Sequence, residues 1–161
     1  TALAAAAGLK VENGVHVDES ARAAPNVWAA GDCANFPSRL YGRRLRLESA
    51  PNAIDQAKVA GAAMAGRQAA YDPVPWFWSD QYDVKLQTVG LCDGADETIV
   101  RGVRGAPTQS VWYFRKGRLV AVDSMNDVPA FAVGRKLVAQ GAAPDRKSLA
   151  DCAKDLKSLI S

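Results

Sequence analysis

The hydrophobic pattern of this chain is clearest in Asn26-Val27-Trp28-Ala29-Ala30-Gly31-Asp32, a short apolar run opened by Pro25-Asn26 and closed by Gly31-Asp32. An apolar run of this length between turn residues reads as a buried strand. Asp32 would then stand at the strand's carboxyl end, the edge where open α/β sheets bind ligands. The plainer reading makes Gly31 a turn and Asp32 its cap. Upstream, Thr1 to Ala7 is Ala-rich and helix-favouring, with Gly8 as its stop. Asn13-Gly14 marks a turn, and Val15-His16-Val17 alternates as a short strand. Cys33 to Ser38, with Pro37 and small polar residues, reads as a loop. Ser49 to Gly66 is the clearest helix. Ser49 is its N-cap, Pro51 fits the first turn, and Ala53, Ala57, Ala60 and Met64 form its inward face.

The pattern changes at Tyr71-Asp72-Pro73-Val74-Pro75, where two prolines break regular structure and mark the best domain boundary. Beyond it Tyr82 to Gly90 alternates as a strand, Thr98 to Gly102 forms another, and Ser110–Arg115 and Arg118–Asp123 flank Lys116-Gly117 as a β-hairpin. A helix starting at Asp127 or Pro129 ends at Gln140-Gly141. A last amphipathic helix is expected from Ser148 to Ile160, with Leu149, Cys152, Ala153, Leu156 and Leu159 inward. Strands first and helices after imply an α+β unit built on an antiparallel sheet with two helices. The division is residues 1–75 and 76–161.

Composition narrows the function. A chain of 161 residues, 48% hydrophobic, can bury a core. A net charge of +3 is too small to argue for nucleic acid. Cys33, Cys92 and Cys152 are scattered, which fits neither a disulfide framework nor a metal site and suits a reducing cytoplasm. His16 is the only histidine, so a multi-His metal site is excluded; beside its turn it reads as an exposed strand residue. No run approaches a membrane span, and the first residues lack the basic start of a signal peptide, so no export is expected. Arg39, Arg43, Arg44 and Arg46 fall within eight residues. They read either as a solvated hairpin edge or as a docking patch for an acidic partner.

The order Asn13-Gly14-Val15-His16-Val17-Asp18, Val27 to Asp32, Arg46-Leu47-Glu48-Ser49-Ala50-Pro51-Asn52 and Trp76-Phe77-Trp78-Ser79-Asp80-Gln81 resembles the C-terminal portion of FAD-dependent NAD(P)H:ferredoxin reductases. This is the putidaredoxin reductase and dioxygenase ferredoxin reductase family, and the likeness covers nearly the whole chain. The Gly-Asp pair is shared by many flavoproteins, whereas Arg-Leu-Glu-Ser and Trp-Phe-Trp-Ser-Asp-Gln are much more specific. The resemblance implies a fragment of an FAD-binding Rossmann-like α/β domain in residues 1–75, with residues 1–10 the tail of an NAD domain. Residues 76–161 would be the reductase C-terminal α+β domain.

The resemblance also implies roles. Asp32 would accept hydrogen bonds from the ribityl chain of FAD. The backbone N–H of Ala50 would meet the flavin's pyrimidine edge, at a helix start that carries partial positive charge. Trp78 would lie by the isoalloxazine ring and Glu48 near the nicotinamide. The plainer alternatives are interdomain core for Trp76 and Trp78 and a first-turn carboxylate for Glu48. Without a redox cysteine pair, electrons would leave the flavin singly, to a [2Fe-2S] ferredoxin serving a cytochrome P450 or a ring-hydroxylating oxygenase. No G-x-G-x-x-G occurs anywhere. That absence implies a fragment without the phosphate-cradling turns, binding FAD weakly or not at all and inactive with NADH. The alternative function is a non-catalytic ferredoxin-docking or dimerisation module, and self-association through a face left uncovered is a further expectation.

Overall fold

The computed structural model describes residues 1–160, which divide into two compact units, Thr1–Pro73 and the residues from Val74 onward.

The first unit opens with α1 (Ala2–Ala6), β1 (Val15–His16), β2 (Arg22–Ala24) and β3 (Val27–Trp28). A 3-10 turn at Gly31–Cys33 leads into β4 (Ala34–Ser38), β5 (Arg43–Leu45) and α2 (Ala50–Met64). β4 is central in a three-stranded sheet, parallel to β1 with Val15 opposite Ala34, and antiparallel to β5 with Phe36 opposite Leu45. Val15, Val17, Ala34, Phe36, Leu45 and Tyr71 are buried. The Phe36 and Tyr71 rings meet edge to face, 4.9 Å between centroids, and the Tyr71 hydroxyl donates to Asn52 Oδ1 at 2.8 Å.

This differs from the expected pattern in two places. The run from Asn26 to Asp32 is not one buried strand. Val27 and Trp28 form an arm of a small hairpin with β2, Val27 is exposed, and the chain then turns at Gly31. The buried strand is β4, over residues expected to form a loop. Asn35 misleads because it is polar yet buried; its side chain is fully engaged. Nδ2 donates to Glu12 O at 2.7 Å, and Oδ1 accepts from Arg44 Nε at 2.9 Å. Such pairing removes the cost of burying an amide. The face of α2 also differs. The helix has the expected cap, Ser49 accepting from Asn52 N, but buries Asn52, Gln56 and Ala60 while Ala57 and Met64 are exposed. The inward row follows i, i+4 spacing and carries two amides that bond neighbouring backbone, a pattern hydrophobicity alone does not reveal.

The second unit contains β6 (Trp76–Gln81), β7 (Val84–Gly90), β8 (Glu97–Gly102), β9 (Gln109–Arg115) and β10 (Arg118–Met125), all antiparallel, in the order β6-β7-β10-β9-β8. α3 (Val128–Ala139) follows, capped by the Asp127 carboxylate on Ala130 N, and then α4 (Arg146–Ala150). Val89, Trp112, Phe114, Leu119 and Val122 of the sheet share a core with Val133, Leu137 and Val138 of α3 and with Leu149 and Leu156. Gly134 brings α3 close to the sheet, since a Cβ there would lie 2.8 Å from Val122 Cγ2. The Lys116-Gly117 hairpin is present, both residues at positive φ as a tight two-residue turn requires.

Tyr82 is the turn between β6 and β7, with φ of 55°, rather than the start of a strand. The expected last helix is broken. α4 stops at Ala150 and only a 3-10 turn, Leu156–Leu159, follows. Its cause is Arg101 on β8, whose guanidinium donates to the carbonyls of Leu149 at 3.0 Å, Asp151 at 2.6 Å and Lys154 at 2.8 Å. Those carbonyls point at the arginine instead of accepting along a helix. Leu149 and Leu156 are buried as expected, while Cys152 and Ala153 are exposed. Among the described residues no helix is long and apolar enough to cross a membrane.

Candidate cofactor-binding site

In the first unit, the turn at Gly31–Cys33 and the start of α2 are held together by direct contacts. Gly31 is buried at φ of 77°, and its N–H donates to Gln56 Oε1 at 2.8 Å. A Cβ on Gly31 would lie 3.3 Å from that of Ala53, so the turn rests directly on the helix's first turns. Asp32 is thereby left outside, exposed, and its carboxylate has no partner among the described residues. Its backbone carbonyl accepts from Arg46 Nη1 at 3.0 Å. The same nitrogen pairs with the Glu48 carboxylate, and Arg46 Nε donates to Asn13 Oδ1 at 3.0 Å. Arg46 thus ties Asp32, Glu48 and the Asn13 turn into one cluster.

Ala50, the first residue of α2, is exposed. The amides of a helix's first turn lack intrahelical partners and carry partial positive charge. Ser49 Oγ takes only Asn52 N, at 3.3 Å. Among the described residues the cluster therefore offers an unpartnered carboxylate that can accept from hydroxyls, beside a helix start that can donate to an electron-rich ring edge. Gln56, which seats Gly31, was not among the expected residues; its sequence signal is its spacing of four from Asn52.

Trp78 belongs to the second unit, on β6, 39% exposed and stacked on Trp76. Of the four arginines, Arg39 and Arg43 are exposed, and Arg39 faces Glu19 at 3.7 Å. Arg44 turns inward. Besides Asn35 it donates to Val17 O at 2.6 Å, so it braces β1 against β4 and offers a docking surface little. His16 is not an exposed strand residue; it is half-buried, with Nε2 3.6 Å from Glu12 Oε2. Burial first, then the positive charges of Arg44 and Lys10, hold its pKa below the usual histidine value. No group of side chains suited to a metal ion occurs among the described residues.

A carboxylate beside a helix start in the first unit, and an antiparallel sheet backed by helices in the second, fit the fold class that the resemblance implied. Comparison with known proteins agrees. The reductase C-terminal family model matches residues 76–160, more than half of the chain, and the pyridine nucleotide-disulphide oxidoreductase model matches residues 1–57. The chain belongs to the reductase C-terminal family.

It is 48% identical over 157 residues to the 5,5'-dehydrodivanillate O-demethylase ferredoxin reductase subunit of Sphingobium sp., covering 96% of this chain and 38% of that protein. It is 40% identical over 160 residues to putidaredoxin reductase of Pseudomonas putida, covering 99% of this chain and 38% of that one. Among solved structures, the reductase in the covalent putidaredoxin reductase–putidaredoxin complex superposes with a TM-score of 0.92, over 99% of this chain and 38% of that one. The chain thus spans 38% of the length of each of these relatives. The resemblance to ferredoxin reductases and the fold class it implied are borne out.

Proposed function

We propose that this chain is part of an FAD-dependent reductase that passes electrons from NADH or NADPH through FAD to a [2Fe-2S] ferredoxin serving a P450 or a ring-hydroxylating oxygenase. The observation that carries this reading is the Asp32 carboxylate, exposed and without a partner among the described residues, set beside the start of α2 by the Gly31–Ala53 and Gly31–Gln56 contacts. These residues fit the cofactor. Asp32 would hold ribityl hydroxyls, the Ala50 amide would meet the pyrimidine edge, and Glu48, oriented by Arg46, would approach the nicotinamide. Trp78 would shield the isoalloxazine. Bound FAD would supply the hydride acceptor and the one-electron donor that side chains lack. Arg39 and Arg43, exposed on the β5 side, would face an acidic ferredoxin, with Arg44 and Arg46 holding the strand and turn beneath them. Residues 1–75 would complete the FAD domain, residues 1–10 being the tail of the NAD domain, and 76–161 would form the C-terminal domain. The setting would be cytoplasmic.

The relatives support the reading by name. Besides the two above, the chain is 41% identical to the anthranilate 1,2-dioxygenase system ferredoxin–NAD(+) reductase component of Burkholderia cepacia, over 39% of that protein. The test is flavin retention by the full-length protein with Asp32→Ala, read from the visible spectrum after gel filtration. Losing a charged acceptor for a hydroxyl costs about 1.5–3 kcal/mol, or roughly 10- to 100-fold in flavin affinity. Flavin content and affinity equal to the parent protein's would reject the site.

A further inference from the structure

Trp76 and Trp78 are two residues apart on β6, so both side chains leave the same face of the sheet. Their Cα atoms are therefore about 7 Å apart. Their ring centroids are only 5.6 Å apart, with planes at 27°, so the two indoles lean together into a stack. Trp76 is also gripped by α3. The Phe131 ring lies 5.9 Å away at 52°, and Arg135 Cζ sits 5.4 Å from the Trp76 centroid. Phe131 and Arg135 are one helical turn apart, which puts both on the same side of α3. A guanidinium over an indole face is attracted by the ring's negative quadrupole. Trp78 has no such grip. It is 39% exposed, and among the described residues Trp76 is the ring it touches.

An exposed indole on a strand can occupy several staggered rotamers. A neighbour that is itself fixed selects one of them. We infer that Trp76 is a positioning residue, held by Phe131 and Arg135, which sets the plane of Trp78. The inference rests on the reading that Trp78 is the ring facing the flavin, and it gives α3 a route to that ring. A Trp76 that served only as core would support the fold and leave Trp78 indifferent to its removal.

The test is fluorine NMR of the full-length protein labelled with fluorotryptophan, the Trp78 resonance being assigned with Trp78→Phe. In the parent protein Trp78 gives one narrow line. In Trp76→Leu the line broadens or splits and its shift between light and heavy water grows. Trp76→Phe, which keeps a stacking ring, restores the single line. Arg135→Gln, an exposed change that keeps every tryptophan, moves the Trp78 line in the same direction as Trp76→Leu. A single, narrow Trp78 line with an unchanged solvent shift in Trp76→Leu, or in Arg135→Gln should Trp76→Leu not fold, overturns the inference. Flavin emission separates the two readings. Trp78→Leu should raise it in the flavin-loaded protein; unchanged emission rejects the placement of Trp78 by the flavin, while the Trp78 line still decides whether Trp76 positions it.

Discussion

Arg43 and Arg44 are neighbours of the same type with opposite fates, because alternate residues of a strand face opposite sides. Arg43 is exposed, whereas Arg44 reaches Val17 O and the buried Asn35. Removing Arg44 leaves carbonyl and amide acceptors inside the sheet without a donor. Arg44→Ala should therefore destabilise the protein by about 2–3 kcal/mol. The urea midpoint measures this, and an unchanged midpoint would show that Arg44 braces nothing. His16 lies on β1, with β4 between it and the strand of Arg44. Its folded pKa is depressed below 6.5 by burial and by Arg44 and Lys10, so the unfolded chain takes up the proton first as pH falls. The stability this residue contributes is complete above 6.5 and is lost progressively as pH drops through 6.5 toward the folded value. His16→Gln should flatten the stability curve over that window, and a parent curve already as flat as the variant's would contradict the assignment.

Among the elements, those announced by local chemistry were legible in the sequence. Lys116-Gly117 fixed a hairpin, Asp127 capped α3 and Ser49 capped α2, because each signal acts within four residues of itself. The tail after α4 was not legible, since what ends that helix sits about fifty positions earlier, on β8. β4 was hidden for a related reason: Asn35 looks like a loop residue until Glu12 and Arg44 are beside it. The site was half legible. Asp32 and Ala50 stand out by position, but that the Asp32 turn rests on Ala53 and Gln56 is a tertiary fact. Arg101→Ala should free the carbonyls of Leu149, Asp151 and Lys154 together, costing about 2–3 kcal/mol and speeding tryptic cleavage after Lys154 and Lys157. Arg101→Lys should not restore the tail, because a single ammonium cannot span several carbonyls as a planar guanidinium does. Unchanged cleavage in Arg101→Ala would mean that Leu149 and Leu156 hold the tail unaided.

Across the whole molecule, the two units draw on unequal resources. The second has a continuous core on five paired strands and α3. The first has a three-stranded sheet whose parallel pair matches only Val15 with Ala34 and His16 with Asn35, and its interior depends on polar contacts at Asn35, Asn52 and Gln56. Stability differs between such regions, and the less apolar one opens at lower free energy. Amide hydrogen exchange should be slowest in β9 and β10 and markedly faster throughout β1, β4 and α2. Equal protection in the two units would show that they unfold as one.

The position of β10 between β7 and β9 also has a consequence for synthesis. Domains emerge from the ribosome amino end first. β6 and β7 can form their hairpin early, but its inner edge has no partner until residue 125 has been made. An isolated hairpin is marginal in water. For that interval Trp76 sits on a nascent ribbon without α3 behind it, and a chaperone or a neighbouring nascent chain would meet it before Phe131 and Arg135 do.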